Sequence, residues 1–267
     1  MLRIRQPIPK WLQIGLGLAG VAAIFVGYAV IARFHPSADQ LVPGAKSIIA
    51  AIRTTITPHA LSGDVMLVQD GVATAGRLAA GLGVGVLIAL VLGMLMGVYP
   101  AVAAFFGPPL SILAKVPPTA ALAIFLALTA AGELQFFVSL IVFGITPTLT
   151  QSVWLAARDG VPAELIDKAL TLGASQFEIV VRVILRQVLP TLMEAIRLSI
   201  GPAIVFLIAA EWIAADEGFG MRIRLDSRAL KMSRVYFYLA VLAGAGWTLD
   251  WAMRMAVRQF CPWYGRQ

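Results

Sequence analysis

The chain has 267 residues, of which 60% are hydrophobic and only 13% charged, and its formal net charge is +7. A soluble domain of this length carries about a quarter charged residues, so the composition excludes an ordinary soluble protein and defines a polytopic, all-α membrane protein. In a soluble chain the positive charge would point to nucleic acid. Here it is expected from basic residues that flank spans and meet lipid headgroups, and no nucleic-acid partner is expected.

Arg3, Arg5 and Lys10 precede an apolar run from Trp11 to Ala32. At about 20 residues it can span a bilayer. It is too long for the core of a cleaved signal and reads as a retained first helix. A polar stretch follows to about Arg77, with Pro36, Pro43, Pro58 and Gly63. Within it an amphipathic piece, Ala45 to Thr55, suits the membrane surface. The second span is expected over 78–98. Its Gly81, Gly83, Gly85, Gly93 and Gly97 would let helix backbones approach closely in lipid, and Tyr99-Pro100 ends it. The third is expected over 110–129, interrupted by Pro117-Pro118, and the fourth over 134–155, with Pro147 inside. A more polar segment, 156–190, separates these from a fifth span over 192–214 and a sixth over 235–256.

All of 1–267 reads as one transmembrane domain. It has an extra N-terminal helix (1–33), core helices (78–256) and the polar loop 156–190 within them. The single cysteine, Cys261, rules out an internal disulfide. His35 and His59 are the only histidines, so no metal cluster is expected. Without a nucleophile–base or metal constellation the chain is not expected to be an enzyme. It has no G-x-x-x-x-G-K-[ST] loop, so any ATP-driven role needs a second polypeptide. The basic residues divide almost evenly between the two faces. The three bases before the first helix favour a cytoplasmic N-terminus. Six spans then put the C-terminus and the 156–190 loop on the same side.

The 156–190 segment is the most informative. Pro162 suits a helix N-terminus. Glu164 and Asp167 fall in the first turns, where carboxylates complement the helix dipole. Leu165, Ala169 and Leu172 share one face, and Gly173 permits a tight turn. A second amphipathic run, Phe177 to Leu189, is expected to end at Pro190. On these grounds the segment is either an amphipathic connector or a docking element for a partner outside the bilayer.

Its pattern resembles a known family. Asp167-Lys168-Ala169-x-x-x-Gly173, continuing through Val183-Ile184-Leu185 to Leu189-Pro190, resembles the "EAA…G…I-x-L-P" loop of ABC importer permeases. It departs from that pattern at Asp167-Lys168, where the family has Glu-Ala, and at Arg186, where it has proline. Ala209-Ala210-Glu211-Trp212-Ile213 with Glu217-Gly218-Phe219-Gly220 resembles the "V-A-E-M-I…G-L-G" of the nitrate/sulfonate/taurine/bicarbonate branch. Arg77 with Gly81, Val116-Pro117-Pro118-Thr119-Ala120 and Asp250 are similar to further segments of that branch. The resemblance covers about residues 40–264. A narrower one, to permeases encoded beside urea- or guanidine-carboxylating enzymes, rests on Phe143-Gly144-Ile145-Thr146-Pro147, Leu198 to Ala203 and Cys261-Pro262-Trp263-Tyr264.

The resemblance implies a type I importer permease of about six spans in a bacterial inner membrane. Two copies would face a shared pathway, and a periplasmic or lipid-anchored binding protein would deliver the solute. Two ATPase subunits would bind ATP and Mg, while this chain binds no cofactor. Glu164, Asp167, Lys168, Ala169, Leu170, Gly173, Ala174 and Phe177 would form the ATPase-coupling surface. The implied solute is a small oxyanion or sulfonate, or a small nitrogen compound. A secondary transporter or channel uncoupled from any ATPase is the alternative.

Ionisable groups inside spans are functional candidates. Lys115, beside the helix break at Pro117, is either substrate-facing or a lysine reaching the headgroups. Glu194 and Arg197 read as an ion pair, as do Asp250 and Arg254. Glu211, with no basic partner in sequence until Arg222, either lines the pathway or packs between helices. From Met221 to Arg234 five bases face only Asp226. Arg222, Arg224 and Arg228 could there attract acidic patches of a binding protein, or the connector is simply solvated or headgroup-bound.

Overall fold

A computed structural model describes residues 9–34, 43–58, 65–129 and 134–263. Arg3, Arg5, His35, Pro36, His59, Gly63, Tyr264 and Arg266 lie outside the described residues. Among the described residues all regular structure is helical. In chain order it comprises α1 (Lys10–Phe34), α2 (Ala45–Ile56), α3 (Met66–Val98), α4 (Pro100–Leu113) and α5 (Leu122–Leu128). Then come α6 (Leu134–Asp159), α7 (Ala163–Thr171), α8 (Gln176–Ala214), α9 (Phe219–Arg228) and α10 (Met232–Phe260).

Four of these, in α1, α3, α6 and α8, are long and apolar enough to cross a membrane. The expected third span is instead two short helices, α4 and α5, separated by turns around Pro117-Pro118. The expected second span is longer than its apolar run, because α3 begins at Met66 and carries Gln69, Asp70 and Arg77 as helix rather than loop. Pro190 does not end the amphipathic run. It lies with Pro202 inside α8, whose first turns include a π-helical stretch, Ile179–Ile184. In a packed membrane bundle neighbouring groups satisfy the carbonyl that proline frees.

The core is the α3–α6 seam. Gly81 meets Ile141, Gly85 meets Ile145, Gly93 meets Val153 and Gly97 meets Ala157. The offset is constant, since 141 less 81 and 157 less 97 both give 60, so the two helices run in the same direction. Four-residue spacing on both sides puts each contact one turn along one ridge. A Cβ on Gly93 would stand 2.7 Å from Val153 Cβ and 2.9 Å from the Thr150 carbonyl oxygen. Gly83, on the other side of α3, meets nothing within 4 Å. The glycine stripe therefore sets the interhelical distance, as small residues do in lipid, where apolar burial alone does not drive helix association.

From α6, Phe136, Phe137, Leu140, Ile141, Ile145 and Leu149 are fully enclosed. Gly144 leaves a notch in which Phe206 of α8 and Pro118 of the α4–α5 break are seated. α1 is peripheral, with none of its most apolar window buried. It is held near its end by the Tyr28 hydroxyl, which donates to Pro43 O at 2.9 Å, and by the Tyr28–Tyr236 edge contact at 5.6 Å.

The seam predicts a contrast. Gly93→Val should lower the thermal unfolding midpoint of the detergent-purified protein, by the equivalent of about 1–3 kcal/mol for overpacking. Gly83→Val should leave it within about 0.5 kcal/mol, as expected for a side chain that touches nothing.

Candidate functional site: a buried charge lattice and an exposed helical hairpin

α3 places Asp70, Thr74 and Arg77 on one face, one turn apart. Opposite them α8 contributes Glu211, and α9 and its lead-in contribute Gly218, Phe219, Gly220 and Arg222. Glu211 is 0% exposed. Its carboxylate accepts from Arg77 Nη1 at 2.9 Å, from the Thr74 hydroxyl at 2.9 Å and from the Gly220 N–H at 2.9 Å. Arg77 also donates to Glu217 O at 2.7 Å and lies over the Phe137 ring at 4.2 Å. The Phe219 N–H donates to Thr74 Oγ1 at 3.0 Å.

One turn further out, buried Asp70 accepts from Arg222 Nε at 2.8 Å, the Gly218 N–H at 3.1 Å and the Tyr238 hydroxyl of α10 at 3.1 Å. The pairing is crossed. α3 supplies one acid and one base, and α8 with α9 supplies the complementary acid and base. Each carboxylate is held by an arginine and by backbone N–H groups, the condition for a buried ion pair to be tolerated. Gly218 has φ +115°, and a Cβ there would stand 2.6 Å from Glu211 Oε1.

Of the two expectations for Glu211, packing between helices fits its enclosure. Glu211 has a basic partner, Arg77, which lies 134 residues away in sequence, while Arg222 pairs with Asp70. Full enclosure places Glu211 within helix packing. Lys115 and Pro117 are exposed at the α4–α5 break. The connector from Met221 is largely helix α9, and its bases are mostly engaged. Arg224 donates to the carbonyls of Trp212 at 2.7 Å and Ile213 at 3.0 Å, and Arg234 lies 3.5 Å from Asp226. Arg228 and Lys231 remain exposed.

At the other end of α3 lies the hairpin of α7 and the start of α8. Pro162 precedes α7, with Glu164 in its first turn. Gly173 takes φ +83° just past the helix end. There the Ala174 N–H reaches Ala169 O at 3.0 Å and the Gly173 N–H reaches Leu170 O at 2.9 Å, the paired bonds of a Schellman motif. α8 then opens on a capping box. Ser175 Oγ accepts from the Glu178 N–H at 3.3 Å, and Glu178 Oε2 accepts from the Ser175 N–H at 3.1 Å. Both ends of a very short turn are thus hydrogen-bonded, and the hairpin is stiff.

Its inner side, Ile166, Ala169 and Ala174, packs on Val161, Ile179 and Ile184. The expected face Leu165–Ala169–Leu172 is therefore split, because Leu165 and Leu172 point outward. The outer side shows Leu165, Leu170, Leu172 (87% exposed) and Phe177 (75% exposed), beside exposed Asp167 and Lys168.

On α8 and α10 the two expected ion pairs are present and joined. Arg197 Nε meets Glu194 at 2.9 Å, Arg254 meets Asp250 at 2.8 Å, and Arg197 Nη1 reaches Asp250 at 3.4 Å.

A bundle of long apolar helices broken by prolines, with a stiff hairpin at one end, is the architecture of an integral membrane subunit. The profile of the binding-protein-dependent transport system inner membrane component family matches residues 89–260, and the chain belongs to that family. It is the membrane permease component of an ABC importer, and an uncoupled transporter or channel is not favoured. Among its relatives is the taurine transport system permease protein TauC of Escherichia coli (strain K12), 27% identical over 99% of this chain and 94% of that one. Another, SsuC of Bacillus subtilis (strain 168), is named for aliphatic sulfonates transport and is 26% identical over 92% of this chain and 87% of that one. An inward-facing conformation of the MetNI methionine ABC transporter shares the fold. Its TM-score is 0.62 at 21% identity, over 73% of this chain and 96% of that one.

The lattice predicts that Glu211→Ala destabilises the detergent-solubilised protein by about 3–5 kcal/mol, because it strands a buried arginine. Gly218→Ala should also destabilise it, through strain at positive φ. Arg228→Ala, on the surface, should stay within about 0.5 kcal/mol. Thermal unfolding of the three variants checks the order.

Proposed function

We propose that the α7–Gly173–α8 hairpin is the surface on which this permease engages its ATPase subunit. Glu164, Asp167, Lys168, Ala169, Leu170, Gly173, Ala174 and Phe177 act there as the coupling element. The observation that carries this reading is a stiff hairpin that presents Leu165, Leu170, Leu172 and Phe177 to the outside while burying its opposite side. Large apolar side chains on a polar helical turn suit anchors for a protein groove. Because both ends of the turn are capped, a push on α7 passes into α8, and the helices rock as rigid bodies between two access states.

In this reading two copies of the chain face one another across the pathway, each on its own ATPase subunit, which binds ATP and Mg. This chain binds no cofactor. The whole of 1–267 forms one permease domain, with the N-terminal segment 1–33 an addition to the core 78–256. The hairpin, within loop 156–190, and both termini are cytoplasmic, and a binding protein delivers solute at the lattice end. Exposed Arg228, next to the inward-turned Arg222 and Arg224, is the residue of that trio best placed to meet it. Relatives named for taurine and for aliphatic sulfonates support a small sulfonate or related oxyanion as the solute.

The test is co-purification of the ATPase subunit with the tagged permease. Leu172→Ser with Phe177→Ser should reduce recovery of the ATPase by about tenfold, the loss expected for a buried anchor of about 1.4 kcal/mol. The yield of folded permease should not change, since these side chains are largely exposed. Undiminished co-purification would overturn the assignment.

A further inference from the structure

The charge quartet Glu194, Arg197, Asp250 and Arg254 has no part in either site above. Phe206 of α8 is seated at Gly144, and Leu192 packs with Ala157 and Val153. Arg197 is therefore level with about Val153, which itself faces Gly93. That is five residues, or about 7 Å, inside the hairpin end of α3. At this depth Asp250, which meets Arg197, is still 35% exposed. An arginine can reach a headgroup from there, but a carboxylate on so short a stem cannot. Ionised groups at such depth face protein or water rather than lipid.

The quartet also continues along a seam. On α8, Arg197, Gly201 and Val205 share a face, and on α10 so do Leu242, Gly246 and Asp250. A Cβ at Gly201 would meet nothing within 4 Å, so the seam is open there. Beyond it lies an apolar cavity of about 590 Å³ between α5, α8 and α10. Within the quartet Asp250 is bound tightly to Arg254 and only loosely to Arg197. Among the described residues Arg197 Nη2 has no partner.

We propose that the α8–α10 seam is a wetted wall of the solute path and that Arg197 is its charge-reading residue. Arg197 exchanges its loose contact to Asp250 for a passing oxyanion, while Arg254 holds Asp250 aside. The proposal rests on the permease reading but not on the hairpin's partner.

Thiol labelling in isolated membranes tests it, with the full chain in a Cys261→Ala background and an anionic and a cationic methanethiosulfonate as probes. Cys261 is the chain's single cysteine, so this background carries no native thiol. Gly201→Cys and Val205→Cys should react with the anionic probe about tenfold faster than Leu18→Cys on α1, an apolar helix the rest of the chain leaves uncovered, because only a wetted thiol ionises. Asp250→Asn should raise the anionic-to-cationic rate ratio at Gly201→Cys by about fivefold, and Arg197→Gln should lower it, as removal of one nearby charge requires. The same ratio at Leu18→Cys in each variant separates unfolding, which moves both sites, from the local charge, which moves Gly201→Cys alone. Labelling no faster than at Leu18→Cys overturns the proposal, as does an unmoved ratio. A Gly201→Cys disulfide between two copies without labelling also overturns it, since the seam would then be a dry contact. Loss of ATPase co-purification with labelling intact would instead count against the hairpin assignment alone.

Discussion

The bundle depends on how closely α3 can approach α6. Lipid is as apolar as leucine, so apolar burial gives two helices no reason to prefer one another to acyl chains. What holds them is dispersion between surfaces that fit. The glycines at 81, 85, 93 and 97 remove the side chains that would keep the backbones apart, and the branched side chains of α6 fill the space. Once α3 and α6 are locked in register, the ends of α3 are positioned too. One end carries the acid and base that receive α8, α9 and α10, and the other abuts the hairpin.

The two ends solve different problems. At the lattice, charges and backbone N–H groups are enclosed and mutually satisfied beside an apolar cluster of Phe219, Ile223 and Tyr238, and together they join four elements. At the hairpin, the polar groups are satisfied locally, by a Schellman turn and a capping box, and the apolar groups are left outside. The proposed coupling role calls for this division. One end must not come apart, and the other must be stiff in itself yet open to a partner.

Four of the expected spans, in α1, α3, α6 and α8, were legible because twenty apolar residues have few other uses, and Gly173 was legible because a turn that short requires positive φ. The start of α3 was not, because Gln69, Asp70 and Arg77 look like loop residues when taken alone. The charges of Asp70 and Arg77 are matched by groups more than 130 residues away, and no local periodicity reports such a match. A trace was present, since Asp70, Thr74, Arg77 and Gly81 fall on one helical face. Nearest basic neighbour in sequence was the wrong guide for Glu211, because α8 and α9 fold back so that Arg222 passes Glu211 and reaches Asp70. Pro190 misled for a different reason. In water it usually ends a helix, whereas in a packed bundle it sits inside one. The Ser175-x-x-Glu178 capping box was readable in the sequence and marks the true start of α8.

The crossed lattice also orders the protein's assembly in time. Asp70 and Arg77 leave the ribosome long before Glu211 and Arg222 exist. Until then α3 sits in the insertion machinery or the bilayer with an acid and a base seven residues apart on one face, able only to shield each other partially. The bundle cannot be completed from its N-terminus onward. It closes when the last third of the chain arrives, so a nascent chain truncated before residue 211 is one that membrane quality control would recognise by its exposed charges.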